Sequence, residues 1–310
     1  MANETLPLSL IEAVVYFADK GNASDFVAQM RWPDGIAVCP DCESNKHYYL
    51  AARKVWKCKV CKRQFSVKVG TIFEDSPLSL SKWLPAVWLL ANSKNGVSSH
   101  ELGRALGVTQ KTAWFMLHRI RAAMASGSLD KLKGIVEVDE TYVGGLAKNM
   151  HAKDRRERIT GGGGVDKTAV IGALQREGDV RAEIIDDLSA TGLQGYVRDN
   201  VADDSTVFTD SASAYKGLRW NFEHGSTDHK AGEYVSGIIH TNGIESFWAL
   251  LKRSIKGTYI AIAPKHLQAY LDERAFAYNN REDHDLYRFM RALSTIAGRR
   301  LTYKELVAKG

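Results

Sequence analysis

The chain has 310 residues, 45% of them apolar and 25% charged, with a formal net charge of +6. Those values are ordinary for a soluble globular protein with a sizeable core and two or three domains. They exclude a membrane-spanning chain, since no run approaches the ~20 apolar residues that a bilayer requires. A sequence pI near 9.0 leans toward an acidic partner such as nucleic acid.

The N-terminal apolar stretch from Leu8 to Ala18 is broken by Glu12 and followed by Asp19 and Lys20, which is not the order of a signal peptide. A cytoplasmic protein is expected. All four cysteines then follow within 23 residues, as two Cys-x-x-Cys pairs, Cys39 with Cys42 and Cys58 with Cys61. Each pair offers two thiolates from one tight knuckle, and two knuckles complete a tetrahedral site for Zn²⁺. Disulfides are the alternative, but cytosolic thiols stay reduced. With no fifth ligand in view, the expected zinc is structural and contributes folding energy. From Lys46 to Phe73 there are eight Lys or Arg residues and no Asp or Glu, interleaved with Tyr48, Tyr49, Trp56 and Phe65. The aromatics suit a small core, and the basic charge suits a DNA backbone.

Helical periodicity comes next. Leu80, Trp83, Leu84, Val87, Trp88 and Ala91 follow the i, i+3, i+4, i+7 rule, and Pro85 places the helix start near Ser81. Ser98 and Glu101 have the spacing of a capping box before Leu102 and Leu106. Gly107 and Val108 make a turn, and Thr109 caps a second helix with Ala113, Met116, Leu117 and Ile120 inward. That is helix-turn-helix spacing, although helical hairpins also serve packing alone. Its outward face is expected to present Gln110, Lys111, Trp114, His118 and Arg121 to a major groove.

Past Asp130 the pattern turns to strands. Residues from Gly134 to Val143 form the first, with Glu137 and Asp139 on one face. The glycine-rich segment from Lys153 to Gly164 matches no phosphate-binding fingerprint and reads as a loop. Thr168 to Leu174 and Val180 to Ile185 make a hairpin about Glu177, Gly178 and Asp179. A helix from Leu193 to Val201 leads to the strand Thr206 to Asp210, so the class is a multi-domain α/β protein with a mixed sheet. The stretch from His240 to Arg253 reads as a helix with Asn242, Glu245 and Lys252 at i, i+3 and i+10. Ile244, Phe247, Leu250 and Leu251 supply its apolar side. Asp139, Asp210 and Glu245 on three separate elements suit a site gathering hard cations around phosphate oxygens. Asn242 with Glu245 fits a capping box equally well.

Other charged groups read as solvated: Glu137, Glu140, Asp186 and Asp187. His224, Asp228 and His229 read as a polar surface loop rather than a second metal site. From Lys265 the chain reads as covering helices with Leu267, Tyr270, Leu271, Ala275 and Tyr278 inward, and with most of Arg274, Arg281, Arg288, Arg291, Arg299 and Arg300 in solvent.

Together the chain resembles a bacterial insertion-sequence transposase of the zinc-ribbon, DDE type. The likeness rests on Arg31 to Gly35 before the first cysteine pair, Lys111 to Trp114 with His118 to Arg121, and Val138 to Gly145. It rests also on Thr209 with Asp210 and on His240 to Arg253. The resemblance implies a ribonuclease-H-like catalytic domain over 131–285. It would follow an N-terminal helix and zinc ribbon over 1–75 and a helix-turn-helix domain over 76–130, and precede a helical tail over 286–310. It implies that Asp139, Asp210 and Glu245 hold two Mg²⁺ or Mn²⁺ ions, with Asn242 a rival or auxiliary ligand. Lys252 and Arg253 would meet DNA phosphate. The implied partners are double-stranded DNA, as terminal inverted repeats and target, and further copies of the chain, near the nucleoid. Two other readings are a DNA-binding protein with an inactive catalytic domain and a nuclease acting on RNA–DNA hybrids. The complete acid set argues against the first, and the two N-terminal DNA-binding modules argue against the second.

Overall fold

A computed structural model describes residues 6–125, 130–144, 167–227 and 237–308. The glycine-rich segment 153–164, Gly145, Asp228 and His229 lie outside the described residues. The chain divides into two compact units, Met1–Ala125 with Asn280–Gly310, and Ser126–Asn279.

In the first unit, α1 (Leu10–Ala18) is capped by Ser9 and α2 (Lys20–Arg31) by Asp19, whose Oδ1 accepts from the N–H groups of Gly21 and Asn22 at 2.7 and 2.9 Å. A three-stranded antiparallel ribbon follows: β1 (His47–Leu50), β2 (Val55–Cys58) and β3 (Gln64–Phe65). Its aromatics divide. Phe65 is buried and stacks on Trp56 at 5.9 Å, while Tyr48 and Tyr49 stay exposed. Helix α3 (Leu80–Asn92) starts one residue before the expected Ser81, so Pro85 lies beyond its first turn. The missing backbone bond is tolerated because Trp83, Leu84, Val87 and Trp88 are all buried against neighbours. The expected capping box opens α4 (Ser99–Leu106), Gly107 ends it in a left-handed turn at φ 61°, and Thr109 caps α5 (Gln110–Met124).

The second unit is built on a mixed sheet. Its strands are β4 (Ile135–Val143), β5 (Thr168–Gln175), β6 (Val180–Ile184), β7 (Thr206–Asp210) and β8 (Glu223–Thr227), in the order β6-β5-β4-β7-β8. The pairs β6–β5 and β5–β4 are antiparallel, and β4–β7 and β7–β8 are parallel. Helix α6 (Ala190–Asn200) packs Leu193, Tyr196 and Val197 on one face, over Val136, Val138, Ile171 and Val207. On the other face α7 (Asn242–Ser254) and α8 (Leu267–Asn279) pack Ile244, Phe247, Trp248, Leu251, Leu267 and Leu271 over Val170, Leu174 and Val180. This is a ribonuclease-H-like arrangement: a mixed sheet with helices on both sides.

In α7 the inward side is Ile244, Phe247, Trp248 and Leu251, whereas Leu250 is only half-buried. Burying such side chains contributes about 1.5–3 kcal/mol each, against about 1 kcal/mol for one net hydrogen bond. Packing therefore holds α7 on the sheet, and the polar contacts decide its register. Gly172 makes the close approach possible. A Cβ there would stand 2.7 Å from the Trp248 ring and 3.0 Å from Ile244 Cδ1.

The C-terminal segment returns to the first unit. Helix α9 (Asp285–Ser294) buries Phe289 among Phe17, Phe26 and Trp88, and α10 (Tyr303–Val307) opens with a capping box from Thr302 and Glu305. The expectation of solvated arginines needs correction at Arg274, whereas Arg300 is exposed as expected. Arg274 is 8% exposed and its Nη1 donates to Ser254 Oγ at 3.0 Å. Arg300 pairs with Asp75 at 2.6 Å and with Glu74 at 3.5 Å. Arg274 sits on the helix face that the apolar residues around it pull inward.

Candidate functional site

The cysteine cluster closes as expected. The sulfurs of Cys39 and Cys61, and of Cys42 and Cys58, lie 3.6 Å apart, and all four ligand atoms fall within 4.8 Å of one another. A tetrahedral ion with bonds of about 2.3 Å needs sulfurs about 3.8 Å apart, so the set fits a structural zinc. Cys39 and Cys58 are buried and Cys42 is exposed. Burial alone would raise the Cys58 thiol. The backbone N–H groups of Cys61 and Val60, with the neighbouring thiols of Cys42 and Cys61, outweigh it and lower Cys58, while the neighbouring thiols raise Cys61, so the four sulfurs share protons as one cluster. Among the described residues this is the one group of ligand side chains drawn so tightly together.

Helix α5 departs from the expected outward face. Gln110 and Lys111 are exposed, Trp114 is half-buried with its ring edge-on to His118 at 4.6 Å, and His118 and Arg121 are 2% and 1% exposed. His118 and Arg121 are therefore not on a groove-reading surface. From Met116 to Arg121 every residue is buried, so the C-terminal half of α5 is enclosed all round and helical periodicity no longer marks an outer face. The open part is the N-terminal turn. There Lys111 Nζ lies 4.7 Å from the centroid of the Tyr303 ring.

The acids are positioned by strand register. In the parallel pair of β4 and β7, Glu137 stands beside Phe208. Two residues beyond that last pair come Asp139 on β4 and Asp210 at the end of β7, near enough for the charge of Asp210 to bear on Asp139. Opposite Asp139 on β5 is Gly172. Over that glycine lies the Trp248 ring, and its Nε1 donates to Asp139 Oδ2 at 3.1 Å. The helix carrying Glu245 is thus bonded directly to the strand carrying Asp139. Burial pushes the Asp139 carboxyl up to about 7, and the charges of Glu140, Asp210 and Glu245 add to the shift. Asp210 Oδ1 accepts from the Ala212 N–H at 3.0 Å, which orients it at the strand end. Glu245 is exposed and its Oε1 accepts from Thr241 Oγ1 at 3.0 Å. Asn242, Lys252 and Arg253 are exposed along the same helix. The expected capping box of Asn242 with Glu245 is absent, because the N-cap residue is Thr241 and its side chain makes no cap bond.

Glu137, Glu140 and His224, read from sequence as solvated, and His240 have defined surroundings. Glu137 is 1% exposed and bonded to Arg176 and to the first turn of α7. Glu140 is half-buried; burial raises its carboxyl and the charge of Asp210 adds to that. His240 Nδ1 lies 3.0 Å from Arg176 Nη2. His224 Nε2 lies 2.9 Å from Thr209 Oγ1. Asp187 behaves as expected, exposed and accepting from the Ser189 N–H. Nothing in local sequence marked Glu137 as buried except its place on the inward face of β4.

A mixed sheet with acids at neighbouring strand ends and on a facing helix, alongside a four-cysteine ribbon, defines the class of zinc-ribbon transposases with a ribonuclease-H-like domain. Comparison with known proteins agrees. An ISXO2-like transposase domain matches residues 131–279 and a transposase zinc-ribbon domain matches residues 19–64. A protein of the transposable element ISH50 from Halobacterium salinarum is 30% identical over 273 residues, 84% of this chain and 90% of that protein. A transposase-like protein of Haemophilus influenzae is 28% identical over 100 residues, 32% of this chain and 80% of its own length. The chain belongs to the insertion-sequence transposases with a zinc ribbon and an ISXO2-like DDE domain. No helix among the described residues is long and apolar enough to cross a membrane.

Proposed function

We propose that the protein is an active DNA transposase that binds the ends of its element and joins them to target DNA through Asp139, Asp210 and Glu245. The observation that carries this reading is that Asp210 and Glu245 act on the Asp139 carboxyl from a neighbouring parallel strand and a facing helix, with Trp248 of the Glu245 helix bonded to Asp139. The residues fit hard cations: three carboxylates share one field, and that field already raises the Asp139 carboxyl. Two Mg²⁺ or Mn²⁺ ions held there would activate a water or 3′-hydroxyl and stabilise the leaving oxygen of a phosphodiester.

This chain's own groups have separate tasks. Asp139, with its carboxyl near 7, must release a proton to become a ligand, so cation uptake is coupled to pH. Trp248 orients that carboxylate. Asn242 stands three residues before Glu245 as an auxiliary oxygen donor, and Lys252 and Arg253 offer positive charge to DNA phosphate on the same helix. End recognition is assigned to 1–75 and 76–130, through the basic ribbon and the open N-terminal turn of α5 with Gln110, Lys111 and Trp114, and the chemistry to 131–285. Pairing two ends calls for more than one copy of the chain.

The test is transfer of a labelled terminal-repeat oligonucleotide into plasmid by the zinc-loaded protein. Transfer is expected with Mg²⁺ or Mn²⁺ and none when no divalent cation is added to the zinc-loaded protein. Tight, end-specific binding with no cleavage under any metal would overturn the enzymatic reading and leave a DNA-binding protein.

A further inference from the structure

Glu137 lies two residues before Asp139 on the same face of β4, and its hydrogen bonds converge on the helix that carries Glu245. Its Oε2 accepts from the Ile244 N–H at 3.0 Å, and its Oε1 accepts from Arg176 Nε at 2.8 Å, with His240 Nδ1 at 3.3 Å. Arg176 Nη2 also donates to the His240 carbonyl at 3.0 Å, which pins the chain just before α7. Ile244 is the third residue of α7, and its N–H is one that a helix cannot satisfy internally. The local N-cap side chain does not serve, since Thr241 Oγ1 turns to Glu245 instead. A carboxylate 107 residues away in sequence takes the place of the cap, where the helix dipole favours negative charge. The approach is close enough to require glycine at 243, where a Cβ would stand 2.8 Å from Glu137 Oε2.

The same cluster reaches the third acid-bearing element. The Arg176 guanidinium lies 5.0 Å from the centroid of the Phe208 ring, on the strand that ends at Asp210. We propose that Glu137 is a positioning residue: with Arg176 it clamps the first turn of α7 to β4 and β7, and so sets the height of Glu245 against Asp139 and Asp210. Both its oxygens are engaged by protein groups, so it is not a fourth cation ligand. The proposal rests on the reading of those three acids as the catalytic set.

The test uses the full-length, zinc-loaded protein with Glu137→Gln, Glu137→Leu and, as control, Asp139→Asn. Glu137→Leu removes the acceptor. It is expected to lower the transfer rate at saturating DNA on the order of 100-fold, the scale of a displacement of about 1 Å, and to raise the Mn²⁺ needed for half-maximal rate. End binding stays within about twofold, because the change is in the rate at saturating DNA. Glu137→Gln keeps a carbonyl oxygen for the Ile244 N–H and is expected to recover to within about tenfold of wild type. The ¹⁵N–¹H signal of the Trp248 indole, assigned by its loss in Trp248→Phe, shifts in the leucine variant and returns toward its wild-type position in the glutamine variant. If Glu137→Leu does not fold, Gly243→Ala crowds the same carboxylate from the helix side and must reproduce the rate and Mn²⁺ effects. Wild-type rate and Mn²⁺ dependence in a folded leucine or Gly243→Ala variant overturns the proposal. So does equal loss in both Glu137 variants with the indole signal unmoved. Full activity of Asp139→Asn would show instead that the acid assignment itself is at fault.

Discussion

Asp139→Asn is expected to abolish strand transfer and, in the same protein, to raise thermal stability in EDTA at pH 8. Asparagine keeps the shape and can still accept from the Trp248 indole, but it lacks the charge that a hard cation requires. Loss of one such group is expected to lower the rate by about 10²–10³-fold or more, with end binding retained. The stability gain follows from the field at the site. The Asp139 carboxyl moves from its ordinary value of 3.8 up to about 7 because it is buried and faces Glu140, Asp210 and Glu245. Below its ordinary value both folded and unfolded chains hold the proton. Between that value and about 7 the folded chain keeps a proton that the unfolded chain has already lost, so stability falls with rising pH across this window and levels off above about 7. Asparagine escapes the loss. A rise in Tm of about 3 °C or more is expected for a unit of this size, present at pH 8 and smaller at pH 5 by scanning calorimetry. Added Mn²⁺ should stabilise the wild type and leave the mutant unmoved. An equal Tm for both proteins in EDTA at pH 8 would contradict the electrostatic picture.

Cys42→Ser is expected to cost the zinc and, with it, the fold of the ribbon. Structural zinc contributes on the order of 10–16 kcal/mol of binding energy in small domains, far more than three short strands supply. Those strands bury little beyond Phe65 and Cys58. Cys42 is the exposed ligand, so serine there changes the donor set without opening a cavity in the core. Metal analysis should find less than stoichiometric zinc, and proteolysis should cut within the ribbon. The residues of Ser126–Asn279 form a separate compact unit and should keep their protection. Stoichiometric zinc in the mutant would mean that the four thiolates are not the ligand set.

Legibility from sequence followed the range of the interaction. The strands carrying Asp139 and Asp210 were readable to within a residue, because alternation of apolar and polar positions is a local signal. The edge strand Glu223–Thr227 was not. Its residues are polar with a central glycine, and only pairing with β7 makes it a strand. The four cysteines were legible because ligand spacing is a local property, and the structure adds only their approach. The cap of α7 was illegible for the opposite reason: sequence offered Asn242 with Glu245, and the carboxylate that serves comes from β4. Arg121 and His118 show a different limit. A polar side chain on a helix reads as outward, yet in an enclosed helix it is buried with the rest. The helix Asp285–Ser294 was legible only as part of a helical tail, and Phe17, Phe26 and Trp88, which close around its Phe289, were not nameable from the pattern.

The central claim is that Asp139, Asp210 and Glu245 act as one cation site on DNA. Its most direct test is anomalous diffraction from crystals of the zinc-loaded protein with a terminal-repeat duplex and Mn²⁺. Manganese density is expected beside the Asp139 and Asp210 carboxylates with Glu245 in reach, and absent in Asp210→Asn. Protein that transfers strands in the same Mn²⁺ buffer, yet shows manganese elsewhere and none between these acids, would contradict it.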